Sequence, residues 1–186
     1  MALGTYRTCT YIAGDWDNDK DAVDQLKRWN ESNHWGLRFK DVHELTSSRD
    51  TSRACSIKDS LRERMSVSKT FVLIVGDSTK YLRKGSCEYC PEKRWSSLYG
   101  INYCSKGYSY DTKSFVDYEI DQAIKAYNEG KMDIIVLYKA ATVNKEKCPS
   151  AIRNYGYHTG MKSTQYYPYT HIDWDYGKVK SAFDSL

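Results

Sequence analysis

Two groups of residues have the spacing of a metal site, and the first is a row of acids. In the segment Asp15–Asp21 an aspartate occupies every second position, as in loops that bind calcium. The EF-hand interpretation fails because Lys20 occupies the sixth position and Leu26 the twelfth, where such a loop needs glycine and glutamate. A phosphatase-like Asp-x-Asp stays open, but the acids more simply suit the cap and the positive end of a following helix.

The second group consists of cysteines. Cys87-x-x-Cys90, followed by Cys104, begins like a zinc site, but a fourth ligand would have to come from elsewhere in the chain. The sequence contains no apolar run near the ~20 residues that a membrane span needs, and no secretory signal. We therefore expect a cytoplasmic protein whose six cysteines are free thiols rather than disulfides or metal ligands.

A single glutamate is the third candidate. Glu119 lies between Tyr118 and Ile120 in a predicted helix that begins near Ser114, and Ile120 belongs to the apolar stripe of that helix. An acid beside such a stripe is unusual, which makes Glu119 a candidate functional residue. The alternative is a glutamate near the start of a helix that the helix dipole favours.

These side chains must be positioned by alternating strands and helices. Strands are predicted over 6–13, 37–42, 71–75, 133–139 and 171–174, and helices from 20, around 57–65, from 114 and over 179–186. The alternation predicts an α/β fold, a flavodoxin-like three-layer sandwich with a five-stranded parallel sheet in the order 2-1-3-4-5. Ligands bind such sheets where the strand order reverses, which places Gly14–Asp19 and Gly76–Ser78 at the site.

Length and composition indicate one domain, residues 1–186, with an insertion over 79–113. Of 186 residues 40% are hydrophobic, a set that includes 17 tyrosines, so tyrosine must do much of the packing. The insertion is longer than the loops of a compact domain and rich in tyrosine. Its seven lysines and arginines against three acids account for the whole net charge of +4. Stacking on single-stranded nucleic acid is conceivable, but solvated packing is commoner, and we expect no nucleic-acid or membrane partner.

Three stretches carry a resemblance to a known family. Residues 10–15 (Thr-Tyr-Ile-Ala-Gly-Asp) leave the first strand, 75–82 (Val-Gly-Asp-Ser-Thr-Lys-Tyr-Leu) leave the third, and 115–120 (Phe-Val-Asp-Tyr-Glu-Ile) open a helix. In this order and spacing they resemble TIR-like domains, in particular the TIR-like protein of bacterial Thoeris antiphage systems. The resemblance spans most of residues 6–140.

The resemblance implies an NAD-consuming enzyme with Glu119 as its catalytic carboxylate. Cleavage of the nicotinamide–ribose bond leaves an oxocarbenium-like ribose, whose charge a nearby carboxylate stabilises. A glutamate pKa near ~4.3 would keep that group ionised at neutral pH. Capture of the ribose carbon by water gives ADP-ribose, and capture by an internal hydroxyl gives a cyclic isomer. The aromatic insertion would exclude water as a lid.

On this hypothesis the protein is a signalling hydrolase or cyclase in antiviral defence. NAD is the substrate, and no separate cofactor or metal is expected. The remaining residues expected to bind the substrate are Asp15, Trp16, Asp77, Ser78, Tyr81 and Tyr118.

Two other functions stay open. The chain could be a non-catalytic TIR-like signalling module that assembles with itself or with TIR-type partners, or a sensor that holds a nucleotide without cleaving it. The enzyme hypothesis depends on the Glu119 carboxyl facing a nucleotide-sized cavity beside Asp15 and Ser78. A carboxyl covered by aromatic rings would count against it.

Overall fold

A parallel sheet organises the protein. The computed structural model describes residues 9–32, 36–37, 39–42, 54–107, 109–166 and 168–186. Its elements are β1 (Cys9–Ala13), α1 (Lys20–Glu31), β2 (Lys40–Asp41), α2 (Ala54–Ser66), β3 (Thr70–Val75), β4 (Lys93–Ser96), β5 (Ile101–Cys104), α3 (Phe115–Asn128), β6 (Asp133–Tyr138), β7 (Tyr157–Gly160), β8 (Lys162–Gln165), β9 (His171–Trp174) and α4 (Tyr176–Asp184). Five of the strands form a sheet in the order β2-β1-β3-β6-β7, and every pairing in it is parallel. The predicted flavodoxin-like α/β sandwich is confirmed.

The centre of the sheet is the most apolar part of the chain. All six residues of β3 are buried, and β3 pairs with β1 on one side and β6 on the other. A strand covered on both faces reads as a continuous apolar run, as expected for 71–75. Alternate β3 side chains serve opposite layers: Phe71 and Leu73 pack towards α2 and α3, whereas Val72 and Ile74 pack towards α1 and α4.

Helix α3 begins and ends where its sequence indicates. The Ser114 hydroxyl accepts a hydrogen bond from the backbone N–H of Asp117 and so caps the first turn. Gly130, just beyond the helix, has φ +67°, a conformation that favours glycine and ends the helix. Val116, Ile120 and Ala123 are buried on the face towards the sheet, as predicted, and Glu119 is buried with them.

The fifth strand of the sheet is not the predicted one. Residues 157–160 form β7 and pair with β6, whereas 171–174 form β9 in a separate antiparallel hairpin with β8. The β7 sequence Tyr-His-Thr-Gly lacks an apolar alternation because it lies at the edge of the sheet, and it therefore reads as a linker. The closing helix also ends earlier than predicted, at Asp184, which leaves Leu186 outside it and 49% exposed.

The edge strand β2 is short, at two residues, although the predicted apolar residues Leu37, Phe39 and Val42 around it are all buried. The start of the predicted first strand, 6–8, and the predicted loop 46–53 lie outside the described residues. No helix in the described ranges is long and apolar enough to cross a membrane.

The segment between β3 and α3 contains the antiparallel hairpin β4–β5. Its cysteines Cys87 and Cys104 are buried together, with Cys90 packed against them. The Lys58 ammonium of α2 donates hydrogen bonds to the Asp111 backbone oxygen, the Asp111 carboxylate and the Lys113 backbone oxygen. These contacts hold the end of the segment against α2. Within the described ranges, no group of three or more His, Cys, Asp or Glu could hold a metal ion.

Candidate functional site

Glu119 lies in the second turn of α3 and points at the first strand of the sheet. The Tyr11 hydroxyl donates a hydrogen bond of 2.5 Å to Glu119 Oε1. Tyr11 is completely buried, and Glu119 is 7% exposed. Tyr11 is the one hydrogen-bond partner of this carboxyl among the described residues, so the second oxygen, Oε2, keeps its bonding capacity.

Burial changes the acidity of this carboxyl. Loss of water around the side chain raises the pKa of Glu119 to about 7, while the Tyr11 hydrogen bond and the positive charge of Arg64 act to lower it. The expectation of an ordinary pKa near 4.3 was therefore wrong. At neutral pH the group is close to half ionised, and small changes around it decide whether it carries a charge.

The pKa of the Tyr11 hydroxyl is shifted as well. Burial is the largest cause that raises its pKa well above the ordinary value, and the charge of Glu119 and their shared hydrogen bond act in the same direction. Tyr11 therefore stays protonated at physiological pH and remains the donor. A fixed donor on one oxygen orients the carboxyl and leaves the other oxygen for a ligand.

A cavity of about 510 Å³ lies at the carboxyl ends of β1, β3 and β6. This is the point of strand-order reversal where the sequence places a ligand site. Asn18 and Asp19 after β1, and Gly76–Ser78 after β3, line it as predicted. Glu119 does not line this cavity, and neither does any residue of 79–113. The expected convergence of Glu119 with Asp77 and Ser78 in this cavity is absent.

The loop after β1 is held by its acids. Asp15 is 5% exposed, and its carboxylate accepts hydrogen bonds from the backbone N–H of Asp17 and Asn18 and from the Asn18 side chain. Asp19 stands at the N-cap of α1 but makes no side-chain capping bond, so the predicted capping role is wrong for it. The Asp19 carboxylate instead approaches Gly76 so closely that a Cβ there would lie 2.0 Å from Oδ1.

Lys139 neutralises this acidic loop from the end of β6. Its ammonium lies 2.6 Å from Asp21 Oδ1 and 3.5 Å from Asp19 Oδ1. Burial raises the pKa of Asp19, Lys139 lowers it, and the nearby Asp15 charge raises it. The carboxylates therefore serve the local structure of the loop, and a bound metal is not needed to balance their charge.

The other predicted binding residues are scattered. Trp16 is 42% exposed and Tyr81 67% exposed, and neither lines the cavity at the strand ends. Asp77 forms an ion pair with Lys147. Tyr118 lies beneath the Lys58 ammonium, 5.6 Å from its ring centroid, on the side of the helix that faces α2.

Sequence reasoning missed two sets of residues that the structure places at these sites. Tyr11 is 108 positions from the glutamate that it contacts, and nothing local in the sequence indicates the pair. Lys139, Lys147 and Lys162 line the cavity from the segments that follow β6 and β7. Lys139 directly follows a buried strand, which was the signal available for it.

The fold is a parallel α/β sandwich with a buried glutamate on α3. The family model described as "Thoeris protein ThsB, TIR-like domain" matches residues 9–85. Over these residues the chain is similar to the TIR-like domain of that Thoeris protein, which confirms the resemblance drawn from the sequence. No curated protein matches the chain. The similarity supports a TIR-like role in antiphage defence, and the matched range ends before α3 and its glutamate.

Proposed function

We propose that the protein cleaves the nicotinamide–ribose bond of NAD and forms a cyclic ADP-ribose-type messenger, with Glu119 as its catalytic carboxylate. The observation that carries the proposal is a buried acid in the second turn of α3 that has a single hydrogen-bond partner among the described residues and a pKa of about 7. Burying such a group costs stability, and acids with perturbed pKa values concentrate at functional sites.

We propose separate tasks for the two carboxyl oxygens. Oε1 accepts from Tyr11, which fixes the carboxyl plane. Oε2 would hold the ribose hydroxyls and face the positive charge that develops when nicotinamide leaves with the electron pair of the broken bond. An internal hydroxyl of the ADP-ribose unit then attacks the ribose carbon and loses its proton to solvent, which closes the ring. Water attacking the same carbon would give ADP-ribose.

The described conformation is a closed one. At 7% exposure little of the Glu119 side chain is open to a ligand, so we propose that groups around it move before NAD binds. We therefore propose that catalysis follows an activating step, supplied in a cell by a phage-derived trigger or by assembly with TIR-type partners.

A second function is favoured by the same burial. A non-catalytic TIR-like module that signals by self-association would keep Glu119 and Tyr11 as a buried polar pair. The expected open carboxyl is not seen in the described conformation, which is the specific support for this alternative.

Nicotinamide release tests the two functions. The wild-type protein, alone and with extract of phage-infected cells, is incubated with NAD, and nicotinamide is quantified by chromatography. We expect release that falls at least about hundredfold in Glu119→Gln, the size of effect seen when one group that stabilises the transition-state charge is removed. Glu129→Gln is the matched control, because Glu129 lies at the end of the same helix and pairs only with Lys131.

Two results would reject the enzyme proposal. One is wild-type protein that releases no nicotinamide with or without the extract. The other is a Glu119→Gln variant that releases it as fast as the wild type. If Glu119→Gln also protects cells from phage as well as the wild type does, the non-catalytic module is the better description.

A further inference from the structure

The cavity at the carboxyl ends of β1, β3 and β6 is separate from Glu119, and we propose that it binds a phosphorylated small molecule. Its volume of about 510 Å³ falls within the range of roughly 300–1,000 Å³ that holds small ligands in proteins. The proposal does not rest on NAD cleavage, since it concerns other residues and another part of the sheet.

The charge of the lining favours an anion. Three lysines line the cavity against two aspartates. Lys139 already forms ion pairs with Asp19 and Asp21 at the start of α1. Lys162 has no carboxylate partner among the described residues, and its ammonium lies 4.4 Å from the centroid of the Trp174 ring. Lys162 therefore acts on Asp21 only through its charge at a distance, and among the described residues it forms no ion pair that a phosphate would have to displace.

Lys147 is a second positively charged side chain at the cavity, and it can exchange its ion pair with Asp77 for a contact with a ligand. It pairs with Asp77, whose side chain is 88% exposed. The ammonium and its hydrogen bond lower the pKa of Asp77, so this carboxylate stays charged. An exposed ion pair of this kind is worth little, because water solvates both groups. Lys147 can therefore turn towards a phosphate group while solvent takes over the carboxylate.

Neutral donors complete the lining. The Ser78 hydroxyl makes no capping bond to the 3₁₀ turn over Thr79–Tyr81 that it precedes. Asn144 uses its side-chain oxygen to accept from the Glu146 backbone N–H, which leaves its NH₂ group to donate. A hydroxyl, an amide NH₂ and two ammonium groups around one cavity match the acceptor oxygens of a phosphate.

The position in the fold supports the same conclusion. Ligands of open α/β sheets bind outside the carboxyl ends of the strands at the point where the strand order reverses, here between β1 and β3. The cavity is also larger than one phosphate group needs, so the phosphate would be carried by an organic portion. We infer a ligand of mononucleotide size.

Calorimetric titration with AMP tests the proposal, with adenosine as the uncharged analogue. We expect AMP to bind the wild-type protein, adenosine to bind more weakly, and added salt to weaken AMP binding. Lys162→Gln should weaken AMP binding by about tenfold, the effect of losing one hydrogen bond to a charged group. Inorganic phosphate should compete with AMP, because it occupies the same lysines.

Control variants separate local from general charge effects. Lys180→Gln removes the same charge from α4, where Lys180 pairs with Asp184, and should leave AMP binding unchanged. Lys147→Gln removes a second lining lysine that lies outside the β8–β9 hairpin, and it should weaken binding even if Lys162→Gln disturbs that hairpin. Glu119→Gln should bind AMP normally, which keeps this proposal distinct from NAD cleavage.

Four outcomes would overturn the proposal. They are the absence of AMP binding to the wild type, equal affinity for AMP and adenosine, equal affinities of the Lys162→Gln and Lys180→Gln variants, and AMP binding that inorganic phosphate does not displace. Each would mean that the lysines do not recognise a phosphate group in this cavity.

Discussion

Replacing Glu119 with glutamine should change how the stability of the protein depends on pH. The pKa of Glu119 is about 7 in the folded protein and 4.5 in an unfolded reference. Because the folded-state value is the higher one, the folded protein binds this proton more tightly than the unfolded chain does. The destabilisation is absent below about pH 4.5, grows as the pH rises, and is complete above about pH 7.

The magnitude follows from the separation of the two pKa values. At about 1.4 kcal/mol for each pKa unit, the full effect is about 3 kcal/mol, and most of it develops between about pH 5 and pH 8. Glutamine does not titrate, keeps an oxygen for the Tyr11 hydroxyl and has nearly the same volume. Glu119→Gln should therefore gain stability over the wild type by about 2 kcal/mol or more as the pH rises from about 5 to about 8.

Urea unfolding at several pH values, followed by far-ultraviolet circular dichroism, measures this difference. Every other titrating group is shared by the two proteins and cancels. Glu129→Gln is the control, because the Lys131 hydrogen bond and charge lower the pKa of Glu129 and its pH dependence should have the opposite sign. A stability difference between Glu119→Gln and wild type that stays constant across this range would refute the buried, titrating carboxyl.

Three further substitutions test the contacts around the two sites. Tyr11→Phe removes a hydrogen bond that lowers the pKa of Glu119, so the pH at which the loss of stability is complete should move upwards, and with it the pH midpoint. Gly76→Ala would place a Cβ 2.0 Å from Asp19 Oδ1 and should cost about 1–3 kcal/mol of unfolding free energy in urea. Lys58→Met removes the donor to three oxygen atoms of the loop before α3 and should cost about 1–3 kcal/mol, with faster proteolysis of that loop.

Two of these substitutions have a matched comparison. Gly177→Ala should cost clearly less than Gly76→Ala, because its Cβ would approach Asp175 Oδ1 only to 3.3 Å and alanine favours the helix that contains it. Lys125→Met changes an exposed lysine on α3 and should leave proteolysis of the loop before that helix unchanged. If Tyr11→Phe left the pH midpoint where it is, the hydrogen bond would not be acting on the carboxyl.

The sheet was predictable where burial leaves a pattern in the sequence. The run 71–75 could only be a strand covered on both faces, and the capping serine and apolar stripe located α3 within a residue. The edge strand 157–160 could not be found in this way, because it pairs on one side only and carries polar residues. The strand 171–174 was found, but its partner was not, since alternation says nothing about which strand lies beside it.

The candidate site was predictable in its residues but not in its geometry. The position of Glu119 beside Ile120 showed that its side chain would lie on the inner face of α3, and the structure places it there. Its pKa depends first on burial and then on Tyr11 and Arg64, and all three are set by tertiary packing. The separation of the glutamate from Asp77 and Ser78 also arises from packing, because α3 lies against α2 rather than over the ends of the strands.

The burial of Glu119 affects both the access of a ligand to its carboxyl and the charge that this carboxyl carries. Burial is the largest cause of the raised pKa of this carboxyl, so a movement that admits water and, on the proposed function, NAD would lower the pKa towards 4.5 and ionise the group. On the proposed function, opening and ionisation are then one event, and the resting protein keeps the proposed catalytic acid both buried and partly neutral. It follows that an activated preparation should release nicotinamide with an acidic limb well below pH 7, whereas residual activity of the resting protein should follow a limb near pH 7. Identical limbs in both preparations would show that activation does not act by uncovering this carboxyl.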